Sequence, residues 1–133
     1  ISSFANILHT QTYEGETGLQ IEQEYNSCIN DIYSYNITNE EIKLNSMIKE
    51  IVLENDKKVI CSKFINTIVD IILNISAQYK NLPVVLSGGV FQNKTLLEIL
   101  IDKFEKDGRE FYFNIDVPSN DGGISFGQIY HQF

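Results

Sequence analysis

Basic side chains are scarce in this sequence: ten Lys and Arg stand against eighteen Asp and Glu, a net charge of −8. A nucleic-acid-binding surface needs clustered cations to neutralise phosphates, and this balance argues against one. It argues equally against docking on an anionic membrane surface. A small anionic ligand stays open, because backbone N–H groups and a bound cation hold phosphate without any basic side chain. Cysteine is nearly absent. Cys28 and Cys61 lie far apart and neither sits in a C-x-x-C pair, which speaks against a zinc ribbon. Both are expected to be buried thiols of a reducing compartment. The two histidines, His9 and His131, lie in opposite terminal regions, so they offer neither metal-ligand spacing nor a Ser–His–Asp set. No apolar run approaches the ~20 residues of a membrane span, no signal peptide is visible, and a cytoplasmic location is expected. The first residue is Ile1 rather than Met, which suggests a fragment, a trimmed chain or a disordered start.

What is present is an ordinary globular composition. The chain has 133 residues, 43% of them hydrophobic, so one domain with a real core is expected. Residues 1–9 read as the end of a helix with Phe4, Ile7 and Leu8 on one face. Residues 12–18, TYEGETG, read as a loop, and Leu19 to Asn30 as a short helix carrying Leu19, Ile21, Tyr25, Cys28 and Ile29. Tyr33, Tyr35 and Ile37 alternate with polar residues, as do Ile42 and Leu44, which predicts a small hairpin near 31–44 turning at Thr38, Asn39 and Glu40. Asn45 or Ser46 would cap a helix with the face Met47, Ile48, Ile51 and Val52. From Lys58 to Tyr79 the stripe Phe64, Ile68, Ile71, Ile72, Ile75 and Tyr79, widened by Ile65 and Val69, predicts a helix buried on most sides.

Then the pattern changes. Pro83 to Leu86 is a short continuous apolar strand of the kind buried in a parallel sheet, and it stops at Ser87-Gly88-Gly89. The following helix has Leu96, Leu97, Leu100, Ile101 and Phe104 inside and ends at Gly108. Glu110 to Asn114 is the next strand. Strand, helix and strand over 83–114 imply parallel pairing with a right-handed crossover. A last helix is expected from about Ile124 to Tyr130. The class is therefore α/β and helix-rich, without repeats or low-complexity segments.

Three constellations carry chemistry. In LSGGVFQN, residues 86–93, a buried strand delivers two glycines to a helix start. Gly88 and Gly89 lack Cβ atoms and allow a ligand close to the backbone. Free N–H groups and roughly half a positive charge from the helix dipole would complete a phosphate cradle. A strand-to-helix turn that needs glycine for packing would look the same. The motif is neither G-x-x-x-x-G-K nor G-x-G-x-x-G. In PSNDGG, residues 118–123, Asp121 would either cap a helix or ligate a cation such as magnesium, iron or zinc. Both loops leave the C-terminal ends of parallel strands, where open α/β sheets bind ligands. In YEGETG, residues 13–18, glycines and carboxylates suit a hydroxyl-bearing ligand such as a ribose; a solvated acidic turn is the alternative.

These residues resemble a known family. LSGGVFQNKTLLEIL followed by VPSNDGGISFGQ is similar to the C-terminal signature of HypF carbamoyltransferases, which mature NiFe hydrogenases. YEGETGLQIE resembles that family's YEGQAAMELE segment, and KFINTI its FHNTL segment. The likeness runs along nearly the whole chain, most weakly between residues 26 and 60. It implies an ASKHA-type fold, an actin-like ATPase half-domain, and makes residues 1–133 a single C-terminal subdomain of the carbamoyl-transfer domain. By this resemblance the domain binds carbamoyl-adenylate made from carbamoyl phosphate and ATP, and passes carbamoyl to a C-terminal cysteine of the partner HypE. That group later becomes a cyanide ligand of the hydrogenase iron. Gly88 and Gly89 would hold the nucleotide phosphate and Asn93 would contact the nucleoside. Glu14, Gly15 and Glu16 would line the nucleoside pocket. Asp121 would be one ligand of a divalent metal: iron, zinc or magnesium.

The departures are specific. Gln20 stands where the family usually has Glu, which weakens a ribose contact, and Ile65 replaces the His of FHNT. The family's paired metal-binding histidines and its SS-x-G-R-L-F-D segment would precede Ile1, as would its acylphosphatase-like, zinc-finger and adenylate-forming parts. Asp121 alone should bind metal poorly, so residues 1–133 alone are expected to be catalytically inactive. Two other readings remain: a non-catalytic nucleotide-binding or interaction module, and another ASKHA enzyme such as a kinase or a threonylcarbamoyl transferase.

Overall fold

The computed structural model describes residues 10–38, 41–118 and 120–130. The helix expected at residues 1–9, both histidines and the middle of the hairpin turn lie outside the described residues. The chain divides into two compact units, Ile1–Ile72 and Leu73–Phe133.

The first unit is organised by a long helix, α3 (Lys57–Gln78), of which its larger part belongs here. Asp56 caps it: the Asp56 Oδ1 accepts from Lys58 N at 2.8 Å and from Val59 N at 3.3 Å. Ile60, Cys61, Ile65, Val69 and Ile71 are buried, but of the expected stripe Phe64, Ile68, Ile72 and Ile75 are only half-buried and Tyr79 is exposed, so α3 is not buried on most sides. By length and mean hydropathy, 1.5 over its apolar window, α3 also matches a membrane span, against the expectation that no run comes close. Its buried Ser62 and Thr67 hydrogen-bond to protein groups, as polar residues of a core helix do.

The first unit also holds α1 (Glu16–Gln23), the hairpin β1 (Asn36–Thr38) and β2 (Glu41–Lys43), and α2 (Asn45–Leu53). The hairpin pairs Ile37 with Ile42 in antiparallel register but is shorter than the sequence pattern, because residues 31–35 lie outside any strand. Tyr33 instead buries its ring with Met47, Ile51 and Ile60, flanked by Leu44 and Phe64. Each such side chain contributes ~1.5–3 kcal/mol by leaving water. The α1 helix starts three residues earlier than expected and ends seven earlier, and Tyr25, Asn26, Ile29 and Tyr33 beyond it bond to α3. Leu44, not Asn45 or Ser46, occupies the N-cap of α2, with no side-chain cap bond. Its face is narrower too: Met47 and Ile51 are buried, while Ile48 and Val52 are exposed. Cys28 is exposed; only Cys61 is a buried thiol.

The second unit contains β3 (Val84–Leu86), α4 (Lys94–Lys106), β4 (Phe111–Phe113) and α5 (Ile124–Tyr130). The two strands pair in parallel, Val84 with Phe111 and Leu86 with Phe113, as the strand–helix–strand pattern predicts. Leu86, Leu96, Leu100 and Phe104 form the buried side, and Phe104 stacks on Phe111 with ring centroids 5.7 Å apart. Gly108, at φ 62°, ends α4. Arg109 N then bonds Phe104 O at 2.9 Å, closing the helix end in the manner of a Schellman motif. The Arg109 guanidinium turns to the last carbonyls of α3, donating to Ser76 O at 3.1 Å and to Tyr79 O. One expectation fails: β3 is not buried on both faces. Val85 is 65% exposed and Tyr112, its partner in register, 54%. Among the described residues this sheet has two strands, and one of its faces is open.

Candidate functional site

Parallel pairing decides where the two glycine turns begin. Leu86 and Phe113 are the last paired residues, so Ser87 and Asn114 leave neighbouring positions on the same edge of the sheet. This is the C-terminal edge, at which open α/β folds bind their ligands.

The first turn is not the direct strand-to-helix joint expected from the sequence. Gly88, at φ 108° and ψ 162°, leads into a 3-10 turn, Gly89–Gln92, and only then does α4 begin. That backbone conformation is essentially restricted to glycine. The first hydrogen bond of the turn runs from Phe91 N to Gly88 O at 3.1 Å. The N–H groups of Gly89 and Val90 precede it and are not used by the turn. A Cβ added at Gly88 or at Gly89 would meet nothing within 4 Å. Packing therefore does not demand glycine at either position; conformation demands it at Gly88 alone. Asn93 is the N-cap of α4, its Oδ1 accepting from Leu96 N at 2.8 Å. Of its amide, Nδ2 is the end left to contact a ligand.

The second turn differs. Asn120, not Asp121, is the cap: Asn120 Oδ1 accepts from Gly122 N at 3.0 Å, ahead of a 3-10 turn over Asp121–Gly123 that runs into α5. A Cβ at Gly123 would lie 2.5 Å from Pro118 O and 3.2 Å from Val117 Cγ1. This glycine is required by packing. Asp121 is exposed and free of the capping role the sequence allowed it. Among the described residues no three His, Cys, Asp or Glu side chains gather into a metal-binding group.

Between the segment after β4 and α5 lies an open hollow of about 380 Å³, lined by Asn114, Asp116, Val117, Gly123 and Phe126 among others. Gly88, Gly89 and Asp121 do not line it. Asn114 and Asp116 were missed by motif reading. The signal that could have found them is weak, two polar residues directly after a parallel strand.

The third constellation belongs to the first unit. Gly15, at φ 88°, takes the N-cap position of α1, which explains that glycine by conformation. Glu16 is the first residue of the helix, and its carboxylate is engaged: Oε2 accepts from Thr12 N at 2.6 Å and Thr12 Oγ1 at 2.8 Å. Those bonds, the backbone one foremost, hold the Glu16 carboxyl below its ordinary range. Glu14 is exposed, and Gln20 is half-buried on α1. Ile65, at the position of the family's His, is 3% exposed inside α3. Cys61 is no nucleophile: burial, and then the charge of Glu24, push its thiol up to about 11.

Known proteins are similar to this chain in sequence and fold. The family described as carbamoyltransferase, Kae1-like domain, second subdomain, matches residues 1–128. The carbamoyltransferase HypF of Synechocystis sp. is 32% identical over 97% of the chain, and a probable carbamoyltransferase HypF of Methanocaldococcus jannaschii is 28% identical over 96%. The chain spans 18% of the length of each. A crystal structure of full-length HypF in a phosphate- and nucleotide-bound form matches 93% of this chain and 21% of that one, with a TM-score of 0.82 and 32% identity. The crystal structure of T. kodakarensis HypF, at 19% identity, shares the fold with a TM-score of 0.72 over 98% of this chain and 19% of that one.

Proposed function

The chain belongs to this carbamoyltransferase family, as the second subdomain of the Kae1-like domain, and from that premise we propose that it is the part of a carbamoyltransferase that holds the nucleotide. The ligand is ATP, or the carbamoyl-adenylate formed from ATP and carbamoyl phosphate. The observation that carries this reading is the open turn after β3. At Gly89 neither conformation nor packing calls for glycine, which leaves room for a ligand to come close to the backbone. The crystallised full-length HypF, which carries phosphate and nucleotide, supports it.

On this reading the phosphate oxygens accept from the N–H groups of Gly89 and Val90. Asn93 reaches the nucleoside through Nδ2. In the first unit the Glu16 carboxylate, engaged by Thr12, holds the loop that carries Glu14 and Gly15. In the transfer itself, a cysteine thiolate of the acceptor protein, HypE, attacks the carbamoyl carbon. The bond from that carbon to the phosphate oxygen breaks, and AMP leaves with the electron pair. This chain contributes fixed N–H dipoles where charge builds on the leaving phosphate, while the nucleophile arrives with the acceptor. A divalent metal, whether iron, zinc or magnesium, would find at Asp121 no group of three or more His, Cys, Asp or Glu side chains among the described residues. One carboxylate does not make such a site, so no step here runs through a metal, and residues 1–133 by themselves are expected to be inactive.

The test is Gly89→Val in the full-length protein, with ATP binding measured by calorimetry. Open space around the Cβ keeps the fold intact, and ATP binding is expected to weaken by at least about tenfold through loss of close backbone contact. Unchanged affinity would overturn the reading.

A further inference from the structure

Helix α5 buries none of its seven residues. Ile124, Phe126, Ile129 and Tyr130 are each more than half exposed, and a helix that short is marginal in water without tertiary support. Gly127 stands in its middle, where glycine weakens a helix. A Cβ added there would meet nothing within 4 Å. Neither a turn nor crowding among the described residues calls for this glycine. Phe126 and Gly127 also form one wall of the open hollow of about 380 Å³. The segment after β4 forms the other wall, where Ile115 is 81% exposed and Asp116 is the one charged group. Hollow and helix both lie in the second unit. Together they make an apolar trough, and contiguous exposed apolar surface of this kind marks an interaction site.

We propose that this trough is the seat of an apolar segment from the first subdomain of the same Kae1-like domain, supplied by the longer parent chain. The family that matches is the second subdomain of its domain, so a first subdomain belongs beside it. The chain spans 18% of the length of each curated relative, which leaves ample sequence to supply the segment. Size also favours an occupant on the same chain. Seven residues make only about 10 Å of helix, whereas a stable complex of separate chains buries about 800 Å² on each partner. A tethered neighbour does not need that area, because the linkage raises its effective concentration to about the millimolar range. Gly127 then has a reason: without a Cβ it lets the incoming backbone lie close to α5. The incoming segment covers Phe126 and Ile129 with apolar side chains and brings a hydrogen-bond donor to Asp116. The inference rests on the family and not on the nucleotide reading.

The experiment uses the full-length parent protein. Phe126→benzoylphenylalanine places a photo-cross-linker in the wall of the hollow, and the cross-linked peptides are mapped by mass spectrometry. Cross-links are expected within one chain, to the first subdomain ahead of Ile1. Cross-links to a second copy, to a separate protein or to residues 1–72 would overturn the proposal, and so would their absence. Ile129→Cys is a smaller change and covers the case that the first variant does not fold. Its thiol is expected to react with a water-soluble maleimide at least about a hundredfold more slowly in the folded protein than in the denatured one. That protection should persist on dilution. A rate close to that of the denatured protein would overturn the proposal, and protection that vanishes on dilution would do the same, since it is the mark of a second copy.

Discussion

Two glycine pairs leave the same edge of the sheet in the second unit, and the reasons for their glycines are opposite. At Gly122 and Gly123 the chain folds back on Pro118 so tightly that a Cβ at Gly123 would sit 2.5 Å from a backbone oxygen. At Gly88 and Gly89 the same addition meets nothing within 4 Å. The first pair closes a structure on itself. The second leaves open space where its side chains would stand. A shared letter pattern therefore covers two different physical demands.

Substitutions can break or sharpen that contrast. The largest loss is expected for Gly123→Val, about 3 kcal/mol by thermal denaturation, because a backbone carbonyl must move to admit the side chain; a loss below about 0.5 kcal/mol would erase the distinction. Gly88→Ala should cost about 2 kcal/mol through its φ of 108° and not through contacts, so replacing Ala by larger residues at 88 should add little more in a denaturation series. The caps come next. Asn93→Ala leaves Leu96 N without its partner and should lower stability by about 1 kcal/mol. Asn120→Ala should lower it by less, since it caps a turn of three residues. Smallest is Gly89→Val, expected to shift stability by less than about 0.5 kcal/mol while it weakens ATP binding. That separation of affinity from stability is the sharpest form of the contrast.

Much of this second unit was legible as text. The continuous apolar run at 84–86, the glycine stop at Gly108 and the helical stripe between them place β3, α4 and β4 to within a residue or two, because periodicity and chain punctuation act over one or two turns. Long α3 was legible for the same reason. The first unit was harder to read. Leu19 to Asn30 has helical spacing, yet Tyr25, Asn26 and Ile29 find partners on α3, and tertiary hydrogen bonds override a weak local preference. Asp121 and Asn120 are adjacent polar residues in one turn, and nothing local says which of them caps.

The order of residues settled the elements of the second unit, the family signature and the edge of the sheet from which both glycine turns leave, since each depends on neighbours along the chain and on the fixed hand of a parallel crossover. What folding alone decided is which glycines are crowded and which stand open, which cysteine is covered, and that Asn66 and Thr67 grip a distant stretch of backbone. Those properties belong to atoms brought together from far apart in sequence, and their energies come from burial and hydrogen bonding that no local pattern encodes.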